Sequence, residues 1–171
     1  MGGISDDTFE DFFRVTLPDA LRVARRILCD PSDAEDAAAE AFARAHASWS
    51  RITALPHRRA WVLRVTANVA VDMTRRRRPL PFVRDAVDDE AERAVLTVAL
   101  AAALRSLPRR QREIVVLRYL DGYSEAETAA ALGVSAGTVK KTAHRAMGAL
   151  RRRLGDGWDR FEAQGASDAT Y

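Results

Sequence analysis

The chain has 171 residues, 47% of them hydrophobic and 30% charged, with a formal net charge of +3, a globular composition that excludes a disordered tail and a fibre. No apolar run approaches the ~20 residues that cross a bilayer, and the acidic N-terminus does not resemble a signal peptide. One cysteine and three scattered histidines exclude a disulfide scaffold and a structural zinc site. We therefore predict a cytoplasmic protein without membrane insertion, metal or cofactor.

Charge is segregated along the chain. Residues 57–78 carry a net charge of +6 and residues 104–154 carry +7, whereas residues 79–103 between them carry −3. Clustered cations gain from counterion release when they meet a polyanion. The two basic segments therefore predict two surfaces for nucleic acid, although two solvated basic helix faces would give the same pattern.

The N-terminal half begins with predicted helices. Alanine, leucine and arginine recur with the helical period and β-branched alternation is nearly absent, which indicates an all-α protein. Thr16 and Asp19 bracket Pro18, an arrangement typical of a first helical turn. This pair predicts one helix over about residues 5–15 and a second over about residues 17–28.

An alanine-rich helix comes next. Ser32 with Glu35 three residues later predicts a capping box for a helix that runs to about Ala47. One face of this helix is acidic and another is apolar. The acidic ridge consists of Asp33, Asp36 and Glu40, and the apolar ridge of Ala38, Phe42, Ala45 and Trp49. The acidic ridge suits a protein partner with basic helices, and plain solvation with a Glu40–Arg44 pair is an equally good explanation.

A further predicted helix begins at Pro56 and ends in an arginine run, because Pro79 and Pro81 cannot continue the helical hydrogen bonds. An inward apolar stripe consists of Val62, Val65, Val69 and Met73, and a polar face consists of Arg64, Asn68, Asp72 and Arg75. Asparagine and arginine on that face suit contacts with bases or phosphates. The alternative is a solvated face whose arginines complement the helix dipole.

Prolines and acidic residues then mark residues 79–92 as a flexible linker. This linker divides the chain into helical units at 1–78 and 93–154, and a polar tail follows at 155–171. We expect the linker to leave the two units mobile in the free protein. Within the second unit, the first predicted helices cover about residues 93–105 and 107–120.

A helix-turn-helix follows in the second unit. Ser124 with Glu127 predicts a capping box, Gly133 a left-handed helix end, and Ser135 the cap of a longer helix. The apolar stripe of that helix is Val139, Ala143, Ala146, Leu150 and Leu154; the outward residues are Lys140, Lys141, His144 and Arg145; and Ser135, Gly137 and Thr138 lie at its positively polarised start. Such a helix offers donors to the DNA major groove. An ordinary helical hairpin would show the same apolar stripe.

The motifs of both halves, over about residues 8–154, resemble the extracytoplasmic-function sigma factors of bacterial RNA polymerase. The segment Asp33–Phe42 is similar to the family's region 2.2, the segment Arg59–Arg77 to the end of region two, and the segment Leu107–Ala146 to region four. The fold that this resemblance implies is two small helical domains, the second carrying the helix-turn-helix.

The resemblance also implies partners and site residues. Core polymerase would be bound at its β′ clamp helices through Asp33, Asp36, Glu40 and Phe42, and at its β flap through region four. The minus-10 element of promoter DNA would be contacted by Arg64, Asn68, Asp72, Arg75 and Arg76, and the minus-35 element by Ser135, Gly137, Thr138, Lys140, Lys141, His144 and Arg145. An anti-sigma protein would be a further partner.

Other functions fit parts of the pattern. A catalytic site is not expected, because no nucleophile with a paired base and no phosphate-binding glycine loop is recognisable. A stand-alone helix-turn-helix regulator would bind duplex DNA without polymerase, usually at a two-fold symmetric site. A helical adaptor joining other proteins would show little salt-dependent affinity for DNA.

Overall fold

The computed structural model describes residues 8–76, 89–155 and 158, without the side chains of residues 75, 76 and 89–93. Within these ranges the chain is helical and has no strand, which confirms the predicted all-α class. The helices are α1 (Phe9–Arg25), α2 (Pro31–Ala47), α3 (Trp49–Ile52), α4 (Arg58–Arg76), α5 (Asp89–Ser106), α6 (Arg109–Val115), which continues as a π-helical segment (Val116–Leu120), α7 (Glu125–Leu132) and α8 (Ala136–Leu154).

Helix α1 is a single helix, so the prediction of two helices around Pro18 is wrong. Thr8 caps its start by accepting a hydrogen bond from the Asp11 N–H at 3.2 Å, and Pro18 lies inside the helix. An interior proline costs about 3 kcal/mol, because it removes one backbone hydrogen bond. A buried face that continues on both sides of Pro18 outweighs this cost; it consists of Phe12, Thr16, Ala20, Val23 and Ala24.

Helix α2 is capped by Asp30, so the predicted capping box of Ser32 and Glu35 is wrong. The Asp30 carboxylate accepts hydrogen bonds from the Ser32 N–H at 2.8 Å and the Asp33 N–H at 3.4 Å. Pro31 occupies the first turn, where its missing N–H has no cost. An aspartate at this position both satisfies free N–H groups and complements the helix dipole.

The inner face of α2 is built from alanine and packs against α1 and α4. Four alanines on this face have no exposed surface: Ala34, Ala37, Ala41 and Ala45. Their small side chains let the helices approach closely. Phe42 on the same helix completes an aromatic cluster, with its ring centroid 4.7 Å from that of Phe13. The short helix α3, which the sequence did not predict, then leads towards α4.

Two predicted segments fall largely outside the described residues. Helix α5 begins at Asp89, inside the predicted linker, and residues 79–88 of that linker lie outside the described residues. In the predicted tail the structure describes Gly155 and Trp158. Trp158 is buried, with the Arg151 guanidinium 4.9 Å from its ring centroid.

The helix-turn-helix has the predicted caps. Ser124 Oγ accepts from the Glu127 N–H at 3.1 Å, and the Glu127 carboxylate accepts from the Ser124 N–H at 2.8 Å. Gly133 ends α7 with a φ of +64°, in the left-handed region. Ser135 Oγ accepts from the Thr138 N–H at 3.1 Å at the start of α8. Local capping chemistry therefore sets the turn of this motif.

Replacing Ser124 with alanine is expected to lower the free energy of unfolding by about 1 kcal/mol, because the Glu127 N–H loses its acceptor. Urea denaturation followed by circular dichroism measures this loss. Ser50→Ala is the control, since Ser50 is exposed and lies in α3. Equal losses from the two substitutions would contradict the role of the cap.

The N-terminal unit (residues 8–76) and the C-terminal unit (residues 89–155) pack against each other. Helix α4 contacts both α5 and the π-helical segment. The buried apolar residues of the two units form one continuous cluster. This packing differs from the expectation that the two units are mobile relative to one another.

Candidate nucleic-acid interface

Helix α8 separates an apolar inner face from a basic outer face, as predicted. The inner residues Val139, Ala143, Ala146 and Leu150 are buried. The outer residues Lys140, Lys141, His144 and Arg145 are exposed. The packing of the inner face fixes the direction of the basic side chains, so these cations point away from the core on a rigid element.

An open groove of about 800 Å³ lies beside this basic face. Lys140 and His144 line it from α8, Glu125 lines it from α7, and Tyr119 lines it from the π-helical segment. The Arg118 guanidinium lies 5.7 Å from the centroid of the Tyr119 ring. The groove therefore combines cations with an aromatic ring, a composition suited to phosphates and bases.

The start of α8 is also accessible. Ser135, Gly137 and Thr138 are exposed, and the hydroxyls of Ser135 and Thr138 lie 2.9 Å apart. The free N–H groups and the dipole of a helix start favour phosphate. The Ser135 oxygen already accepts a hydrogen bond from the Thr138 N–H, so this oxygen serves to cap α8.

The polar face of α4 lies against the C-terminal unit. Arg64 Nη2 is 3.4 Å from the Glu113 carboxylate, and Asn68 Oδ1 accepts a hydrogen bond from Arg112 at 3.1 Å. Glu113 is itself buried, with 4% of its surface exposed. The two predicted DNA contacts Arg64 and Asn68 are therefore occupied by α6 in this structure.

The buried setting of Arg64 affects its pKa. Burial lowers the pKa of Arg64, and the Glu113 carboxylate opposes this shift. The other three predicted residues of the α4 face are Asp72, Arg75 and Arg76. Asp72 is exposed. The side chains of Arg75 and Arg76 lie outside the described residues.

The acidic ridge of α2 is divided between surface and core. Asp36 and Glu40 are exposed, and Glu40 pairs with Arg44 one turn later at 2.8 Å. Asp33 and Phe42 are 7% and 3% exposed. Direct contact of Phe42 with a partner is therefore corrected to a core role, because it packs among the aromatic rings of α1. Asp33 is likewise too buried to contribute much surface.

Sequence reasoning missed a group of charges between the two units. Arg59 is at its centre, donating to the Asp19 carboxylate at 2.8 Å and to the Tyr123 hydroxyl at 2.8 Å. Its guanidinium also lies 2.9 Å from the Asp121 carboxylate, which Arg22 approaches to 2.6 Å. We call these five residues the inter-unit charge cluster.

The Asp121 carboxylate of the inter-unit charge cluster is shielded from water, whereas the side chains of Arg59 and Arg22 are 35% and 45% exposed. The Asp121 side chain has no exposed surface, and burial raises its pKa while the charges of Arg59 and Arg22 oppose that shift. For Arg59, burial acts to lower the pKa, but the hydrogen bond to Asp19 and the charge of Asp121 raise it above its usual value. Arg59 therefore stays fully charged. No sequence signal marks this pairing, because Arg59 and Asp121 are 62 positions apart.

Among the helices of residues 8–76 and 89–155, none is long and apolar enough to cross a membrane. In the same part of the chain, no three potential metal-ligating side chains come together.

Known families match both halves of the chain. The sigma-70 region 2 family matches residues 12–79, and the sigma-70 region 4 family matches residues 97–150. The chain is 40% identical to an RNA polymerase sigma-E factor of Streptomyces avermitilis, over 85% of this chain and 84% of that protein. It is 34% identical to the ECF RNA polymerase sigma factor SigM of Mycobacterium tuberculosis, over 86% of this chain and 77% of that protein.

The chain is also similar in fold to a solved structure. The fold is similar to that of CnrH, whose structure was determined in complex with the cytosolic domain of CnrY, with a TM-score of 0.58 and 26% identity. The match covers 85% of this chain and 86% of CnrH. Family, sequence and fold agree with the resemblance seen in the motifs. This chain belongs to the extracytoplasmic-function family of RNA polymerase sigma factors.

Proposed function

We propose that this sigma factor reads the minus-35 element of its promoters with α8 and binds core RNA polymerase with the acidic ridge of α2. Sigma factors are specificity subunits, and the polymerase performs the chemistry, so no catalytic residue is assigned to this chain. We place its action in the cytoplasm. The observation that carries the proposal is the exposed basic face of α8, held outward by a buried apolar face in a capped helix-turn-helix.

The DNA contacts of α8 are of two kinds. Lys140, Lys141 and Arg145 are exposed cations that suit phosphates, and together with His144 they reach the groove beside the helix. Gly137 at the helix start adds a backbone donor for a phosphate, and Thr138, whose N–H already bonds to Ser135, adds its exposed hydroxyl. The β flap of the polymerase is the proposed protein contact of the same unit.

The polymerase contacts of α2 come from its exposed carboxylates. Asp36 and Glu40 project from a helix whose opposite face is buried against α1 and α4. Basic partner helices, here the β′ clamp helices, suit this surface. Asp33 supports the ridge from a nearly buried position, and Phe42 fixes the helix from the core.

The minus-10 contacts remain assigned to the polar face of α4. Its members are Arg64, Asn68, Asp72, Arg75 and Arg76. An anti-sigma protein is a further proposed partner, by analogy with CnrH, whose solved structure contains the cytosolic domain of CnrY.

Transcription with purified core polymerase tests the proposed function directly. A pool of genomic fragments is transcribed with and without the protein, and discrete start sites that depend on it are expected. Those fragments then supply the promoter DNA for binding measurements. If the protein holds duplex DNA tightly but no start site depends on it, the stand-alone regulator is the better description.

Two substitutions are expected to separate the DNA and polymerase surfaces. Lys140→Ala should weaken promoter binding and reduce the salt dependence of that binding by about one phosphate contact, because one cation is removed. Glu40→Ala should weaken binding to core polymerase and leave the affinity of α8 for DNA unchanged. Fluorescence anisotropy at several salt concentrations measures both.

Arg14→Ala is the matched control for these substitutions. Arg14 is an exposed cation of α1 that pairs only within its own helix in the described structure, with Glu10 and Asp11. Its loss should change neither affinity. Identical defects from Lys140→Ala and Glu40→Ala would contradict the division between the two surfaces.

A further inference from the structure

We propose that Arg151, near the C-terminal end of α8, forms a further DNA site: oriented by the ring of Trp158, it binds a backbone phosphate beyond the bases that the start of α8 contacts. The ligand is a phosphodiester group of the duplex, so the contact does not depend on base sequence. This site rests on the proposed function, because that function places α8 on DNA.

Arg151 lies on the same side of α8 as two of the proposed DNA contacts. Lys140, His144 and Arg151 all line the groove beside the helix, and Arg151 is exposed. Relative to Lys140, His144 is rotated about 40° and Arg151 about 20° beyond whole turns of the helix. The three basic side chains therefore form one row along α8, and Arg151 extends that row towards the C-terminal end.

The length of this row decides what Arg151 can contact. An α-helix rises about 1.5 Å per residue, so Lys140 and Arg151 lie roughly 16 Å apart along the axis of α8. The major groove of B-DNA is about 12 Å wide. When the start of α8 meets base edges, its C-terminal end therefore lies next to the sugar–phosphate backbone, a geometry known for other recognition helices. Arg151 is placed to meet phosphates and not base edges.

The ring of Trp158 supports Arg151. Gly155 ends α8 with a φ of +50°, a conformation that favours glycine, and its carbonyl oxygen accepts a hydrogen bond from the Trp158 N–H at 3.0 Å. Trp158 is 4% exposed, and the Arg151 guanidinium lies 4.9 Å from its ring centroid. The end of α8 thus places a buried aromatic ring against the arginine.

An aromatic ring orients an arginine without neutralising its charge. The ring attracts one face of the guanidinium, and the N–H donors at the guanidinium edge stay available for a phosphate. Arg64, in contrast, faces the Glu113 carboxylate. An arginine that is already oriented loses less conformational entropy when it binds. Trp158 is therefore a positioning residue, which raises the affinity of Arg151 for phosphate without contacting the DNA.

Binding of the full chain to duplex DNA tests the phosphate site, because a contact with the backbone needs no known promoter. The probe is a fluorescent duplex of mixed sequence and about 30 base pairs, close to three helical turns. Arg151→Ala is expected to weaken binding at low salt by about fivefold or more. The slope of log affinity against log salt concentration should fall by about 0.9, because one phosphate contact is lost.

Arg153→Ala is the matched control for this substitution. Arg153 is also an exposed arginine in the last turn of α8, so its loss removes the same charge from the same end of the helix dipole. Two positions beyond Arg151, it points about 200° away around the helix axis. Arg153→Ala should leave the affinity and the salt slope nearly unchanged.

Substitutions of Trp158 separate a positioning role from a structural one. Trp158→Phe keeps an aromatic ring and should retain most of the affinity, whereas Trp158→Leu should weaken DNA binding, with the folded fraction of each variant measured by urea denaturation. In the Arg151→Ala background, Trp158→Leu should cause no further loss of affinity, because its effect passes through Arg151. If Trp158→Leu does not fold, Arg151→Ala and Trp158→Phe still test the site.

Lys140→Ala in the same assay distinguishes this site from the proposed function. If Lys140→Ala weakens binding and Arg151→Ala behaves like Arg153→Ala, the phosphate site is overturned and the proposed role of α8 stands. If neither Lys140→Ala nor Arg151→Ala changes binding, the placement of α8 on DNA is wrong and the site falls with it. A further loss from Trp158→Leu in the Arg151→Ala background would overturn the positioning role of Trp158.

Discussion

Glutamate in place of Ala41 is expected to unfold the N-terminal unit or to lower its free energy of unfolding by about 4 kcal/mol or more. Ala41 has no exposed surface and lies on the face of α2 that packs against α1 and α4. The larger side chain would not fit, and its carboxylate would lose hydration without gaining a partner. Thermal and urea denaturation measure the loss.

Ala43→Glu is the matched control, because it makes the same chemical change two residues later in the same helix at an exposed position. Helix propensity and net charge change equally in the two variants. Ala43→Glu should therefore retain nearly the full stability. Similar losses from both would mean that α2 does not pack through its alanine face.

Alanine in place of Leu150 is expected to cost about 2–5 kcal/mol and to abolish promoter binding with it. Leu150 is fully buried on the inner face of α8, the helix that packs on α5, α6 and α7. The cavity would leave α8 without its support, and the basic residues of its outer face would lose their fixed direction. Denaturation and anisotropy measured on the same samples test both effects.

Leu150→Met conserves volume and is the control for this substitution. It should cost less than about 1.5 kcal/mol and preserve binding. If Leu150→Ala lost stability but still bound promoter DNA at full affinity, the basic face would not depend on the packing of α8.

The helix-turn-helix was the part of the fold that local sequence could predict. Ser124, Glu127, Gly133 and Ser135 act on groups within a few positions of themselves, so their spacing alone specifies the turn. The outward direction of Lys140 and its neighbours follows from the helical period once the apolar stripe is recognised. These features need no contact distant in sequence.

The errors in the N-terminal unit have a different origin. Pro18 favours the start of a helix locally, but the burial of a face that continues through α1 outweighs this preference. At Asp30 two residues could each cap α2, and the one that stands directly before a proline took the role. Phe42 lies on the same helix as the acidic ridge but within the aromatic cluster, and only the packing of α1 decides that.

The contacts between the two units could not be predicted from the amino-acid sequence alone. Arg64 and Asn68 have the composition of a nucleic-acid surface, and the same chemistry suits Glu113 and Arg112. Periodicity shows which residues share a face, and it does not show what covers that face. Only the three-dimensional structure shows that α6 covers this face of α4.

The bridge between Arg59 and Asp121 also constrains how this chain can evolve. Loss of Arg59 would leave the buried Asp121 carboxylate with Arg22, and loss of Asp121 would leave Arg59 with Asp19, so either single change would weaken the cluster. We therefore expect a change at one of these positions to be tolerated better when the other changes with it, which would couple the evolution of the two units.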